Sequence, residues 1–218
     1  MKEYQFVARI HSASTKDLLC LGAVVSETSV LANGICTQSG AIRVHLGSHK
    51  DFRCKKGFRI KVIEPLYHDG VISNRLVLLF SYENMAHCSK PIPIGRVLDW
   101  DTKIIIIRRP HRMAKTLSHQ YVTLANQQYK YVGSSIKYLN KENMLCVKDL
   151  AMCPVQAGDL LVQRDHLFGI AAISLQRSGR NQLACFTDLD SLKRELKELD
   201  EDIDIGHAGN ESRRPVKL

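Results

Sequence analysis

Cys153-Pro154-Val155-Gln156-Ala157-Gly158-Asp159-Leu160-Leu161-Val162, followed after a short gap by Gly169-Ile170-Ala171-Ala172-Ile173, is the stretch on which the reading of this chain turns. Leu160 to Val162 and Phe168 to Ile173 are short apolar runs of strand length. Others lie upstream: Leu18 to Val25, Ala41 to Leu46, Phe58 to Ile63, Leu76 to Phe80 and Lys103 to Ile107. Short strands at regular spacing, broken by Gly, Ser, Asn and Pro, predict an all-β barrel or sandwich. Only the end of the chain reads as helical. From Asp188, the residues Leu189, Leu192, Leu196 and Leu199 form one apolar stripe, and Asp190 or Ser191 is available as a cap. The segment 188–199 is therefore expected to be a surface helix and 200–218 a flexible charged tail.

The 218 residues are 44% hydrophobic, enough to bury a substantial core. The 31 Lys plus Arg against 22 Asp plus Glu give a net charge of +9, which favours acidic partners such as nucleic acid, sulfated sugar or an acidic protein face. Met1 to Ile10 alternates like a strand and lacks the apolar core of a secretory signal, and no long apolar run suggests a membrane span. Seven cysteines, an odd number, leave at least one thiol unpaired in an oxidising compartment. The expectation is an intracellular protein, nuclear or cytoplasmic, with an extracellular location as the alternative. The sequon Asn210-Glu211-Ser212 matters only in that alternative.

The opening stretch resembles the C-x-G-D-S-G-G-P-L-V and G-I-V-S-W segments of the chymotrypsin/trypsin family of serine proteases. Cys20-Leu21-Gly22-Ala23-Val24-Val25-Ser26 through Val30-Leu31-Ala32-Asn33-Gly34-Ile35-Cys36 is similar to that family's C-G-G-S-L-I and W-V-L-T-A-A-H-C, with the spacing between the two cysteines kept. Ile42 to His49 resembles V-R-L-G-E-H, Asn74 to Leu79 resembles N-D-I-A-L-L, and Glu142 to Cys146 resembles N-M-L-C-A-G. Lys90 to Ile94 looks like the P-I-C-L-P crossover between barrels, and Phe186-Thr187 like the Y-T before the final helix. The ordered set covers residues 1–199. It implies two antiparallel six-stranded barrels, roughly 1–90 and 91–187, with a cleft between them and a terminal helix.

The family's chemistry needs a hydroxyl, an imidazole and a carboxylate close together. Position by position, the resemblance puts Ile35 at the histidine site, Arg75 at the aspartate site and Ala157 at the serine site. The glycine of the oxyanion hole becomes Val155, the aspartate that anchors that turn becomes Gln156, and Ala151 stands at the base of the specificity pocket. Val155 disfavours positive φ, so the turn is expected to take another shape. A non-catalytic homologue is the expected reading. A relocated Cys/His pair using Cys153 and His68 is weighed and set aside, because Cys153 precedes the turn by four residues and is a structural cysteine in the family.

The resemblance also implies a disulfide between Cys20 and Cys36. Cys146 and Cys153 find no cysteine at the positions of their usual partners, so the remaining thiols are expected to be small buried apolar groups. No C-x-x-C, H-E-x-x-H or phosphate-binding glycine loop is present, and no metal, cofactor or small-molecule substrate is expected.

Thr102 to Lys141 contains no acidic residue, and Ile104-Ile105-Ile106-Ile107 leads into Arg108-Arg109-Pro110-His111-Arg112. Arg108, Arg109, Arg112 and Lys115 are therefore expected to emerge together as a binding patch at the start of a loop. A second cluster is Arg53, Lys55, Lys56, Arg59 and Lys61. Two functions follow: a scaffold that holds a protein partner, or a binder of nucleic acid or another polyanion.

Overall fold

Why several strands, β3 and β7 among them, are apolar on both faces becomes clear from where those faces go. The computed structural model describes residues 4–47, 52–99, 102–109, 116–124, 144–148, 155–172 and 184–206, the side chains at 52, 53 and 71–74 excepted. The first barrel comprises β1 (Val7–Ser12), β2 (Leu18–Val24), β3 (Ser29–Asn33), β4 (Ile42–His45), β5 (Phe58–His68) and β6 (Val71–Ser81), with the short helix α1 (Phe52–Lys55) between β4 and β5. The second comprises β7 (Ile104–Arg108), β8 (Ser118–Leu124), β9 (Met144–Lys148), β10 (Leu160–Gln163), β11 (His166–Ala171) and β12 (Ala184–Asp188). Neighbours run β1-β2-β3-β6-β5-β4 and back to β1 in one, and β7-β8-β9-β12-β11-β10 and back to β7 in the other. The two closed antiparallel barrels thus share one strand order, and closure removes the unpaired edges.

Along β3 the side chains of Val30 and Ala32 fill the first barrel while Leu31 joins a second core between the barrels. β6 repeats the pattern, with Val77 and Leu79 inside and Leu76 and Leu78 outside. In β7, Ile106 fills the second barrel and Ile107 turns to the shared core, where it meets Leu160, Leu167 and Ile170 among others. A strand with both faces buried has no polar side to alternate with. The shared core is what makes the two barrels one body.

After β12 the chain makes a 3₁₀ turn (Asp190–Leu192) and then the helix α2 (Lys193–Leu199). This is shorter than the helix expected over 188–199, because Asp188 still belongs to the sheet. The cap is not Asp190 or Ser191. Asp188 accepts from the Asp190 N–H at 3.1 Å through its own carboxylate, and Ser191 Oγ donates to the Asp188 carbonyl at 2.6 Å. The apolar stripe is present: Leu189, Leu192 and Leu196 are fully buried in the shared core.

The tail expected from 200 onward is corrected over 200–206. Asp200 accepts hydrogen bonds from Ser26 Oγ and Ser29 Oγ, both at 2.6 Å, Ile203 is fully buried, and the Gly206 N–H donates to the Ile94 carbonyl at 2.8 Å. An acidic run hides one anchoring carboxylate and one apolar plug, which composition averages away. The remainder of that segment, 207–218, lies outside the described residues.

The cysteine expectation holds for one pair and is corrected for two. Cys20 and Cys36 form a disulfide. So do Cys146 and Cys185, which face each other in the β9–β12 register with Cα atoms 4.1 Å apart, and Cys54 and Cys88, with Cα atoms 5.6 Å apart. Pairing across a sheet or between a helix and a distant turn brings together residues that chain spacing keeps apart. Cys153 lies outside the described residues. No helix among the described residues is long and apolar enough to cross a membrane.

Candidate functional site

The 155–159 turn is positioned by a glycine at its centre. Gly158 has φ +93°, and a Cβ there would lie 2.8 Å from the Leu21 carbonyl oxygen and 3.1 Å from Cys20 Cβ. A side chain would fail on both counts, so Gly158 is what lets this loop of the second barrel close on β2 of the first. Its N–H donates to the Ala171 carbonyl at 2.9 Å. From the other side Asn33, fully buried, donates through Nδ2 to the carbonyls of Ala171 and Ala172 at 3.1 and 2.8 Å. Its Oδ1 accepts from the Ile35 N–H at 3.0 Å, which caps the 3₁₀ turn Gly34–Thr37 that presents Ile35.

These contacts bring together the three residues that the resemblance assigns to the triad, Ile35, Arg75 and Ala157. Ala157 adjoins Gly158, which touches Cys20; Cys20 is bonded to Cys36, the neighbour of Ile35. Arg75 has φ +60°, a left-handed conformation for a non-glycine residue, and its carbonyl oxygen lies 3.0 Å from where a Cβ on Gly34 would stand. Ile35 is 45% exposed, so the residue that the resemblance puts at the histidine site presents an apolar side chain to solvent. Among these three residues there is no hydroxyl to attack, no imidazole to take its proton and no carboxylate to hold a base. Val155 is buried and its φ is not positive. Ala151 lies outside the described residues.

Asp159 organises this turn. It is buried, and its carboxylate accepts the Gln156 N–H at 2.8 Å while the Asp159 N–H donates to the Gln156 carbonyl at 3.1 Å. Burial pushes its pKa up to about 7, against the opposing pull of the Gln156 N–H and of the Arg108 and Arg109 guanidinium groups. The resemblance assigns the anchoring carboxylate to the Gln156 position; here a carboxylate three residues later holds the turn from within.

This also corrects the basic patch. Arg108 and Arg109 do not emerge at a loop start: they are 5% and 6% exposed and act on Asp159. Arg109 donates from Nη1 to the Leu18 carbonyl and from Nη2 to the Leu19 carbonyl, both at 3.1 Å, and so ties the second barrel to β2. A lone Asp at the head of an apolar strand, in a chain carrying an Arg pair at the end of another, was the available sequence signal. Arg112 and Lys115 lie outside the described residues. The second cluster remains at the surface: Lys55, Lys56, Arg59 and Lys61 are exposed, and Arg59 sits over the Tyr82 ring at 5.2 Å. His68, weighed as a relocated base, instead bonds Glu195 on α2 at 3.0 Å.

The same architecture recurs in solved structures. Kallikrein-related peptidase 10 superposes with a TM-score of 0.71 at 15% identity, over 91% of this chain and 97% of that one. Human heparin binding protein gives 0.65 at 19% identity over 94% and 96%, and the scabies mite inactivated protease paralogue S-I1 gives 0.68 at 17% identity over 91% and 96%. Identity at this level speaks for the fold alone. Among curated proteins none matches. The trypsin family model matches residues 1–194, which include every strand of both barrels, and with the two-barrel topology this chain belongs to the trypsin family.

Proposed function

We propose that this chain is a non-catalytic trypsin-family homologue that works by binding a protein partner. The observation that carries the reading is the trio Ile35, Arg75 and Ala157 at the positions of the triad, where proton transfer and nucleophilic attack have no side chain to perform them. Asp159 supports it, since its carboxylate occupies the Gln156 N–H and braces the turn from within the loop. The scabies mite relative is itself described as an inactivated protease paralogue, so the fold is used elsewhere without its catalysis. Purified protein is expected neither to cleave a broad peptide library nor to react with a fluorophosphonate probe. Labelling abolished by replacing one serine would overturn the reading.

A second reading, binding of a sulfated or phosphorylated polyanion, rests on Lys55, Lys56, Arg59 and Lys61, which are exposed and make no salt bridge among the described residues. One structural neighbour carries heparin binding in its name. Polyanion affinity through this cluster would fall steeply with log salt and drop in a Lys55→Ala/Lys56→Ala/Arg59→Ala variant. Affinity indifferent to both would leave the protein partner as the sole reading.

Three bridged cysteine pairs favour an oxidising compartment, so the extracellular alternative is proposed over the intracellular expectation. Alkylation of protein drawn from its native cells decides it. Three bridges leave one reactive cysteine of the seven, whereas a reducing compartment leaves all seven reactive.

A further inference from the structure

Outside the cleft, α1 and the 84–89 turn bring two sulfurs and an imidazole together. The Sγ atoms of Cys54 and Cys88 and a ring nitrogen of His87 all lie within 4.8 Å of one another. Both supports are held firmly. Met85, fully buried, accepts the N–H groups of Cys88 and Ser89 on its carbonyl at 2.9 and 3.2 Å, and the Ala86 N–H donates to Asn84 Oδ1 at 2.8 Å. On the other side the Gly57 N–H donates to the Cys54 carbonyl at 3.3 Å, and Gly57 has φ +73°. The Phe58 ring meets His87 edge-on with centroids 5.8 Å apart, which orients the imidazole. Cys54 and Cys88 are buried while His87 is exposed, so two soft ligands sit inside and one nitrogen faces water.

We propose that the Cys54–His87–Cys88 cluster is a redox-gated zinc site: closed as a disulfide when oxidised, and a Cys₂His ligand set for Zn²⁺ when reduced. A dithiol reductant supplies the two electrons and two protons. The Cys54–Cys88 S–S bond breaks, two thiols form, and the reductant becomes a disulfide. Zn²⁺ then displaces both thiol protons to solvent, forming two Zn–S bonds and one Zn–N bond to neutral His87, with water completing the tetrahedron. Two thiolates neutralise the ion's charge, so a largely buried site tolerates it. Tetrahedral zinc spaces two thiolates by about 4 Å, wider than a disulfide, so the two sulfurs move apart once the bond between them breaks, with the His87 nitrogen already within 4.8 Å of both. The ligands come from separate loops, and Cys54 and Cys88 stand 34 residues apart, so no short motif announces them.

The test uses the full chain with Zn²⁺, and with Co²⁺ as a spectroscopic stand-in, under a phosphine reductant and without it. Reduced protein should bind zinc in excess of the oxidised form, and Co²⁺ should give the charge-transfer bands of thiolate ligation. The excess should disappear in Cys54→Ser and in Cys88→Ser but persist in Cys146→Ser, which separates this site from the other released thiols. His87→Ala, a surface change that leaves the fold intact by circular dichroism, should weaken binding by about tenfold or more and shift the Co²⁺ spectrum. Equal zinc uptake by reduced wild type and the Cys54→Ser/Cys88→Ser variant, or a His87→Ala protein indistinguishable from wild type, would overturn the proposal.

Discussion

A buried carboxylate beside two buried arginines decides how the 155–159 turn answers to pH. Burial raises the Asp159 pKa to about 7, despite the Gln156 N–H and the guanidinium groups of Arg108 and Arg109 that favour its charged form. In the unfolded chain the same group titrates near 4. A folded pKa above the unfolded one gives stability that is complete below about pH 4 and lost as pH rises through about 7. Urea midpoints should therefore fall across that window, and Asp159→Asn should flatten the part due to this residue; Asp188, raised chiefly by burial, contributes in the same direction and stays. An unchanged pH profile in Asp159→Asn would remove Asp159 from the account. Asp200 is buried too, and both of its carboxylate oxygens accept hydrogen bonds. Asp200→Ala removes the carboxylate oxygen that Ser26 and Ser29 share, leaving the two hydroxyls bonded to each other at 2.7 Å, and should cost about 1–3 kcal/mol in urea unfolding. Ile35, Arg75 and Ala157 are assigned from ordered motifs that the sequence carries on either side of them. The places of Arg108 and Arg109 were not legible there: a strand end and a loop start look alike in sequence, and the carboxylate they act on stands 50 residues away from Arg109.

At the scale of elements, α2 shows what periodicity gives and withholds. The stripe Leu189, Leu192 and Leu196 was legible from spacing, and all three are fully buried. The start of the helix was not, since Asp188 has two roles, closing β12 and capping the turn that follows. Leu196→Ala should cost about 2–5 kcal/mol by chemical unfolding, the range for deleting a fully buried leucine, and the exposed Leu199→Ala much less. If the two cost the same, the helix is not docked through this face. His68 on β5 adds a polar tie at the other end of the contact. Burial would raise the Glu195 pKa, but a backbone N–H and the hydrogen bond and charge of His68 outweigh it and leave the pKa lowered. The cysteine pairs follow the same logic. Cys146–Cys185 depends on which residue faces which across β9 and β12, and register is a property of the sheet that a single strand does not state.

The whole molecule is two barrels that share a third core, and this predicts how it unfolds. Leu31 on β3 and Leu78 on β6 belong to the same cluster as Ile107, Leu160 and Ile170 of the second barrel. Arg109 bonds the Leu18 and Leu19 carbonyls, Asn33 bonds those of Ala171 and Ala172, and Gly158 allows the chains to approach that closely. Neither barrel can open without exposing apolar surface of the other, and with it buried polar groups whose partners lie in the other barrel. Leu31→Ala should therefore destabilise by about 2–5 kcal/mol and raise amide exchange in β10 and β11 as much as in β2 and β3. Val30→Ala, one residue away but pointing into the first barrel, should be the internal comparison: its effect is strongest within that barrel when local openings are sampled. If Leu31→Ala loosened the first barrel and left the second protected, the shared core would not be coupling them. The cleft would then join two independent units, and the fixed juxtaposition of Ile35, Arg75 and Ala157 would lose its basis.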